Sequence, residues 1–479
     1  MKTTTVLCLL LSVAITALAQ STAERQQFIR ADAAVIALAH VRVIDGTGAA
    51  PLEDQTVVIA GGKIQSVSPS ATATVPANAQ TLDLKGYTVL PGLVGMHNHL
   101  FFPQGGSPPM YSAMGSSFPR LYLALGVTTI RTTGSVTPYT DIEVKKLIDA
   151  GRMIGPKIHI TAPYLEGNGS FTPVMHTLTG VDDARRMVNF WADQGATSFK
   201  AYMNISRAEL RATVEEAHKR GLKVTGHLCS IGYREAAEIG IDNLEHGLFA
   251  DSEFVADKKP DQCPGAAVSA SLRQLDLNSA AVQETIRTLV AKKVAITSTL
   301  PVFEAGGAPL TQSGIGAASA LMNPRVFAVM STDARVRYLS ARARVPSTSD
   351  YTALLRKAMD FERAFVQAGG LLIAGLDPTG NGGVVAGFGD LRQVELLVEA
   401  GFTPLEAIKI ASLNGARFLG EDARIGSIAA GKQADMMVVK GNPAANILEI
   451  EKVEIVFKDG VGYDSEKLIQ SVQGLVGIR

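Results

Sequence analysis

Between residues 93 and 420 the chain alternates short apolar runs with amphipathic helical patterns, and no other feature narrows its fold as much. The apolar runs are "GLVGMHNHLFF", "VTTIRTTG", "KIHITAPYL", "TSFKAYM", "LKVTGHLC", "DNLEHG", "VAITSTLPVF" and "LLIAGLDPTG". Between them lie segments such as "VDDARRMVNFWADQGA", "SRAELRATVEEAHKRG", "YREAAEIG", "AAVQETIRTLVAKK" and "TALLRKAMDFERAFVQAGG", whose apolar residues recur with a helical period. Strand and helix alternating about eight times is the pattern of a (β/α)8 TIM barrel, an α/β fold. A doubly wound open sheet is the competing arrangement, but no Gly-x-Gly-x-x-Gly turn follows the early strands.

The flanks have a different texture. Residues 33–92 read as short strands and turns in which β-branched residues alternate with polar ones, and the same texture returns in residues 421–479. Two such segments around a long middle predict one discontinuous small β-sandwich domain beside the barrel of residues 93–420. Within the barrel, residues 251–280 and 304–350 are punctuated by Pro, Gly and Ser, as expected of insertions that build substrate loops.

The first 19 residues combine Lys2, an apolar run from Val6 to Leu18 and small residues at Ala17 and Ala19. This is the pattern of a secretory signal peptide cut after Ala19, and it predicts a secreted or periplasmic protein. The run is too short to span a bilayer, so no stable membrane insertion is expected. Cys8 leaves with the leader, and the remaining Cys229 and Cys263 fit either one bridge or two buried thiols. The formal net charge is zero and no basic run stands out, which removes the electrostatic case for nucleic acid.

Neighbouring side chains alternate across a strand, so His97 and His99 share one face while Met96, Asn98 and Leu100 take the other. Alone, this pair fits a metal site and a hydrogen-bonded core equally well. His227 and His246 lie toward the ends of consecutive predicted strands, however, and Asp377 ends the last one. In a barrel the C-terminal strand ends meet at one face, so these residues are predicted to converge. Several imidazoles and a carboxylate suit zinc or a similar divalent ion. Lys200 sits mid-strand between Phe199 and Ala201, where an ammonium needs a carboxylate partner or chemical modification to be buried.

Three further residues have two readings each. Tyr202 shares a face with Lys200 and reaches a substrate carbonyl or fills the barrel. His176 is a substrate-polarising histidine in the loop after strand three, or an ordinary surface one. Arg131 binds a substrate carboxylate or pairs inside the barrel, and the second reading is favoured. His40, His159 and His218 read as structural.

Taken in order on strands 1, 4, 5, 6 and 8, the set His97-x-His99, Lys200, His227, His246 and Asp377 resembles the amidohydrolase superfamily. The resemblance spans nearly the whole mature chain and is greatest to the binuclear metal-dependent branch, similar to imidazolonepropionase, Xaa-Pro and Xaa-Arg dipeptidases, and ochratoxin-type amidases. "FKAYM" and "GGVVAGFGDLRQVELLVEAGFTPLEAIKIASLNGA" look like that branch too.

The resemblance implies two divalent metal ions, zinc first among the candidates, bridged by carboxylated Lys200. His97, His99 and Asp377 would hold the more buried ion, and His227 and His246 the more exposed one. It also implies amide hydrolysis by a metal-bridged hydroxide, with Asp377 as general base and then acid. A secreted dipeptidase or an amidase acting on N-acyl amino acids is the leading expectation, with a small-molecule substrate as partner. Cyclic amides, lactones or esters are alternatives on the same site, and a scaffold without turnover is the non-enzymatic one. A homo-oligomer is the tendency of the superfamily.

Overall fold

The computed structural model describes residues 25–105, 108–308, 322–347 and 349–478. The expected leader lies outside these residues. Among the described residues no helix is long and apolar enough to cross a membrane.

The middle of the chain is a mixed α/β structure built on parallel strands: β1 (Leu93–Gly95), β2 (Val127–Arg131), β3 (Lys157–His159), β4 (Ser198–Ala201), β5 (Lys223–Gly226), β6 (Asn243–Glu245), β7 (Ala295–Ser298) and β8 (Leu372–Ala374). β1, β2 and β3 form one parallel sheet, and β4 to β8 follow one another in a second, whose outer edge is extended by Leu165–Glu166 and His176–Thr177. Main-chain hydrogen bonds cross both seams between the sheets. Thr197 N donates to Ile160 O (2.7 Å) and Ala162 N to Ser198 O (2.9 Å) on one side, while Met96 N donates to Ala374 O (2.8 Å) and Asp377 N to His97 O (2.9 Å) on the other.

The strands are buried on both faces, which is why they read as continuous apolar runs rather than alternating ones. The helices are amphipathic for the complementary reason. Arg207–Lys219 starts at a capping box between Ser206 and Glu209 and buries Leu210, Thr213, Val214 and Ala217 along one stripe. Val181–Asp193, Tyr233–Ile239, Ala280–Ala291 and Tyr351–Gln367 lie on the other expected helical segments.

Three of the apolar runs are not single strands, and "VAITSTLPVF" is one of them, passing from β7 into the helix Leu300–Gly307. The first stops at Gly95, and Phe101–Gly105 then pairs with Met110–Ala113 as a separate antiparallel hairpin. Between them side chains take over one ladder acceptor, because Met96 O accepts from Arg131 Nε (2.9 Å) and Thr133 Oγ1 (2.7 Å). "KIHITAPYL" likewise divides into β3 and the start of Leu165–Glu166.

Strands from both ends of the chain share one sheet. Its nine members hydrogen-bond as a single sheet, in which Met436–Lys440 lies beside Tyr87–Pro91 in antiparallel register. The sandwich expected from the sequence is therefore one continuous hydrogen-bonded sheet. Ile36, Val57, Val89, Met436 and Phe457 belong to its own apolar core, separate from the main one. Cys229 and Cys263 are disulfide-bonded, tying the insertion after β6 to the segment just past β5.

Candidate metal centre

The site residues stand just beyond the C-terminal ends of β1, β4, β5, β6 and β8, Lys200 excepted, which is within β4. Two of them occupy a backbone region that side chains rarely adopt. His246 has φ 72° and Asp377 φ 52°, and Thr133, next to Gly134, has φ 43°. Such conformations cost on the order of 1–3 kcal/mol each and cluster where the surrounding structure aims a functional group. Gly375 allows β8 to pass close to β1, since a Cβ there would stand 2.4 Å from the His97 nitrogen.

His97, His246 and Asp377 each offer a ligand atom within 4.8 Å of the others, and all three are buried. His99 Nε2 lies 3.7 Å from Asp377 Oδ1, and the Lys200 Nζ is 3.2 Å from His97 Nε2. His227 joins through ring contacts, its centroid 4.4 Å from His246 and 5.0 Å from Tyr202. The compact group thus draws His97 and Asp377 from one expected ligand set and His246 from the other.

Burial sets the protonation of these groups. It holds His97 and His246 well below the usual imidazole range, and brings His99 and His227 down to about 3, with Lys200 adding to the effect in all four. The imidazoles are therefore neutral near pH 7, the form that ligates metal. Burial also brings Lys200 down to about 8, against the pull of Glu245 and Asp377. It pushes the Asp377 carboxyl up to about 6, opposed by Lys200 and by a hydrogen bond from Thr379 Oγ1 (2.8 Å). Neutral imidazoles, a carboxylate and an amine poised near deprotonation form a donor set that fits a borderline divalent cation.

Partners outside the donor set orient the rings. Glu245 Oε2 is 2.7 Å from His97 Nδ1, so that nitrogen donates and Nε2 is left facing the site. Gly134 O accepts from His99 Nδ1 (3.1 Å), and Thr299 Oγ1 is 2.7 Å from His246 Nδ1. The sequence reading missed Glu245, although a carboxylate two residues after Asn243, on the same strand face, was a signal for it. Thr299 and the Gly134 carbonyl had no such signal, because backbone curvature alone brings them to the rings.

Arg131 pairs inside the fold, donating to Glu245 Oε1 and Asn243 Oδ1, both at 2.8 Å. The same Glu245 oxygen accepts from Thr225. Tyr202 is buried against Tyr164, with centroids 4.9 Å apart, and burial keeps both phenols protonated far above neutral pH. His176 is on the exposed strand His176–Thr177, its Nε2 3.0 Å from Asp183 Oδ2. His40, His159 and His218 face Asp54, Glu421 and Asp242.

Solved structures similar to this chain include a putative prolidase from Bifidobacterium longum, at 26% identity and TM-score 0.64 over 91% of this chain and 98% of that one. A Xaa-Pro dipeptidase with methionine bound in its active site matches at 20% identity and TM-score 0.65, over 90% of this chain and all of that one. The bottromycin amidohydrolase matches at 19% identity and TM-score 0.68, over 96% and 93%. No curated protein sequence matches the chain. The model of the amidohydrolase family aligns with residues 88–461, which is most of the chain, and by that match the protein belongs to the amidohydrolase family of hydrolytic enzymes.

Proposed function

We propose that this amidohydrolase cuts the amide bond of a dipeptide or an N-acyl amino acid, using two divalent cations, zinc or a close relative. His97, His99, His227, His246 and Asp377 would hold them, together with Lys200 as its carbamate. One observation carries this reading. His97, His246 and Asp377 converge to within 4.8 Å in a buried group, with Lys200 Nζ against His97.

When bound, such cations acidify water and polarise a carbonyl. Asp377 supplies the proton movements: its carboxylate takes a proton from the attacking water and returns it to the nitrogen of the departing amine. Tyr202 stays protonated and donates a hydrogen bond to the substrate carbonyl from beside His227. Arg131 takes no part in binding, because Glu245 and Asn243 hold its guanidinium, and His176 stays with Asp183. The seam hydrogen bonds support one (β/α)8 barrel over residues 93–420, with the shared nine-stranded sheet as the second domain. Export is part of the same reading, and the Cys229–Cys263 bridge supports it, since such bonds persist in oxidising compartments.

The test is a panel of dipeptides, N-acyl amino acids and matched esters, assayed with metal content measured on the same preparation. Amide turnover with bound divalent metal is expected. A protein with no tightly held metal, and no turnover after zinc or manganese is supplied with bicarbonate, would overturn the proposal.

A further inference from the structure

The metal-centre histidines are contacted by two separate groups of aromatic rings. In the first group Phe101 stacks on His99 at a centroid distance of 4.4 Å, and Tyr202 lies 5.0 Å from His227. Phe171 continues from Tyr202 at 6.2 Å and is 44% exposed. In the second group Phe303 packs edge-on to His246 at 5.7 Å. Phe249 stacks on Phe303 at 3.7 Å with planes 7° apart, and Tyr351 follows at 5.9 Å. These last three rings are all half-buried. Each row of rings therefore runs from a histidine of the centre outward, and none of the six side chains carries a charge at neutral pH.

We propose that the centre lies between two aromatic walls and selects amides bearing a flat, uncharged group on each side of the scissile bond. This deepens the amide-hydrolase reading and rests on it. The physical reason is the apolar surface that Phe171 exposes in one row and that the half-buried Phe303, Phe249 and Tyr351 leave partly accessible in the other. A ring seated there removes that surface from water and gains offset or edge-on contacts with rings already in place. Arg131 donates to Met96 O, Asn243 and Glu245, and Arg273, close enough to act on Tyr351, pairs with Asp350, so each of these guanidinium groups already has an acceptor in place of an acidic side chain.

The experiment uses the metal-loaded full-length mature protein and four N-acyl amino acids that share one amide: acetyl-alanine, acetyl-phenylalanine, benzoyl-alanine and benzoyl-phenylalanine. Each ring is expected to raise kcat/KM by about tenfold or more, and the two gains are expected to multiply. Phe171→Ala should shrink the gain from one ring and Phe249→Ala the gain from the other, with metal content measured in both variants. Should Phe249→Ala fail to fold, Phe249→Leu keeps the bulk and removes the flat face. Equal kcat/KM across the four substrates would overturn the aromatic walls while leaving amide hydrolysis standing. So would variants that slow all four by one common factor. If none of the four, nor any dipeptide, is hydrolysed by metal-loaded protein, the amide reading itself falls.

Discussion

Glu245 and His97 form a buried carboxylate–imidazole pair, Oε2 to Nδ1 at 2.7 Å, with neither side chain more than 1% exposed. Its two partners come from β6 and from the turn after β1, 148 positions apart in sequence. The carboxylate is held in turn by Arg131 and Thr225, so the ring of His97 is fixed from behind. Glu245→Gln keeps the shape and removes the anionic acceptor. Metal affinity is expected to fall by roughly 10–100-fold, the usual effect of losing such a partner. Metal titration of the purified variant checks this, and an unchanged affinity would show that Glu245 serves the fold alone.

Lys200→Ala is expected to abolish turnover and lower metal content together. An ammonium in this buried position is already disfavoured, and burial brings its pKa down to about 8. Elemental analysis beside a rate measurement separates the outcomes. Full metal with near-normal turnover would remove the carbamate from the account.

For Asp377→Asn the two readouts should part. The amide retains one oxygen for a metal, but it cannot accept a proton, so metal partly stays while kcat falls by about 100-fold or more. A variant with ordinary kcat would assign the proton transfers to another group.

Asp141 supplies a pH effect on stability away from the centre. It is buried in the helix Pro138–Asp149, and burial pushes its carboxyl up to about 7 from an ordinary 3.8. Between those values the folded chain binds the proton more tightly than the unfolded one. The stability linked to this group is thus complete below about pH 4, drains away as pH rises to 7, and stays lost above it. Asp141→Asn should flatten that decline and raise Tm at pH 8 by roughly 2 °C or more relative to the parent. Thermal melts at pH 5 and pH 8 decide it, and an identical Tm difference at both values would dismiss the linkage.

Much of the architecture is legible in the sequence. The strands, with the long helices between them, follow from apolar runs and helical period, because burial of one face or two imposes those patterns locally. The residues at the strand ends were legible for a related reason: a histidine or aspartate closing an apolar run has no local role to satisfy it. The apolar run puts His97 and His99 in a strand, whereas they stand just past one. The pattern of apolar residues did not change at Gly95, but the hydrogen-bond partners did, with Arg131 and Thr133 side chains taking over Met96 O.

What the amino-acid sequence determined by itself was periodicity: which residues would be strands and helices, and which polar groups would be left at their ends. The tertiary structure alone decided which of those groups meet. It set Glu245 behind His97, joined Cys229 to Cys263, and turned His246 and Asp377 inward through left-handed backbone. The reason is physical. Periodicity records the burial of a residue among its sequence neighbours, whereas these contacts depend on strand stagger and loop closure between segments tens to hundreds of residues apart.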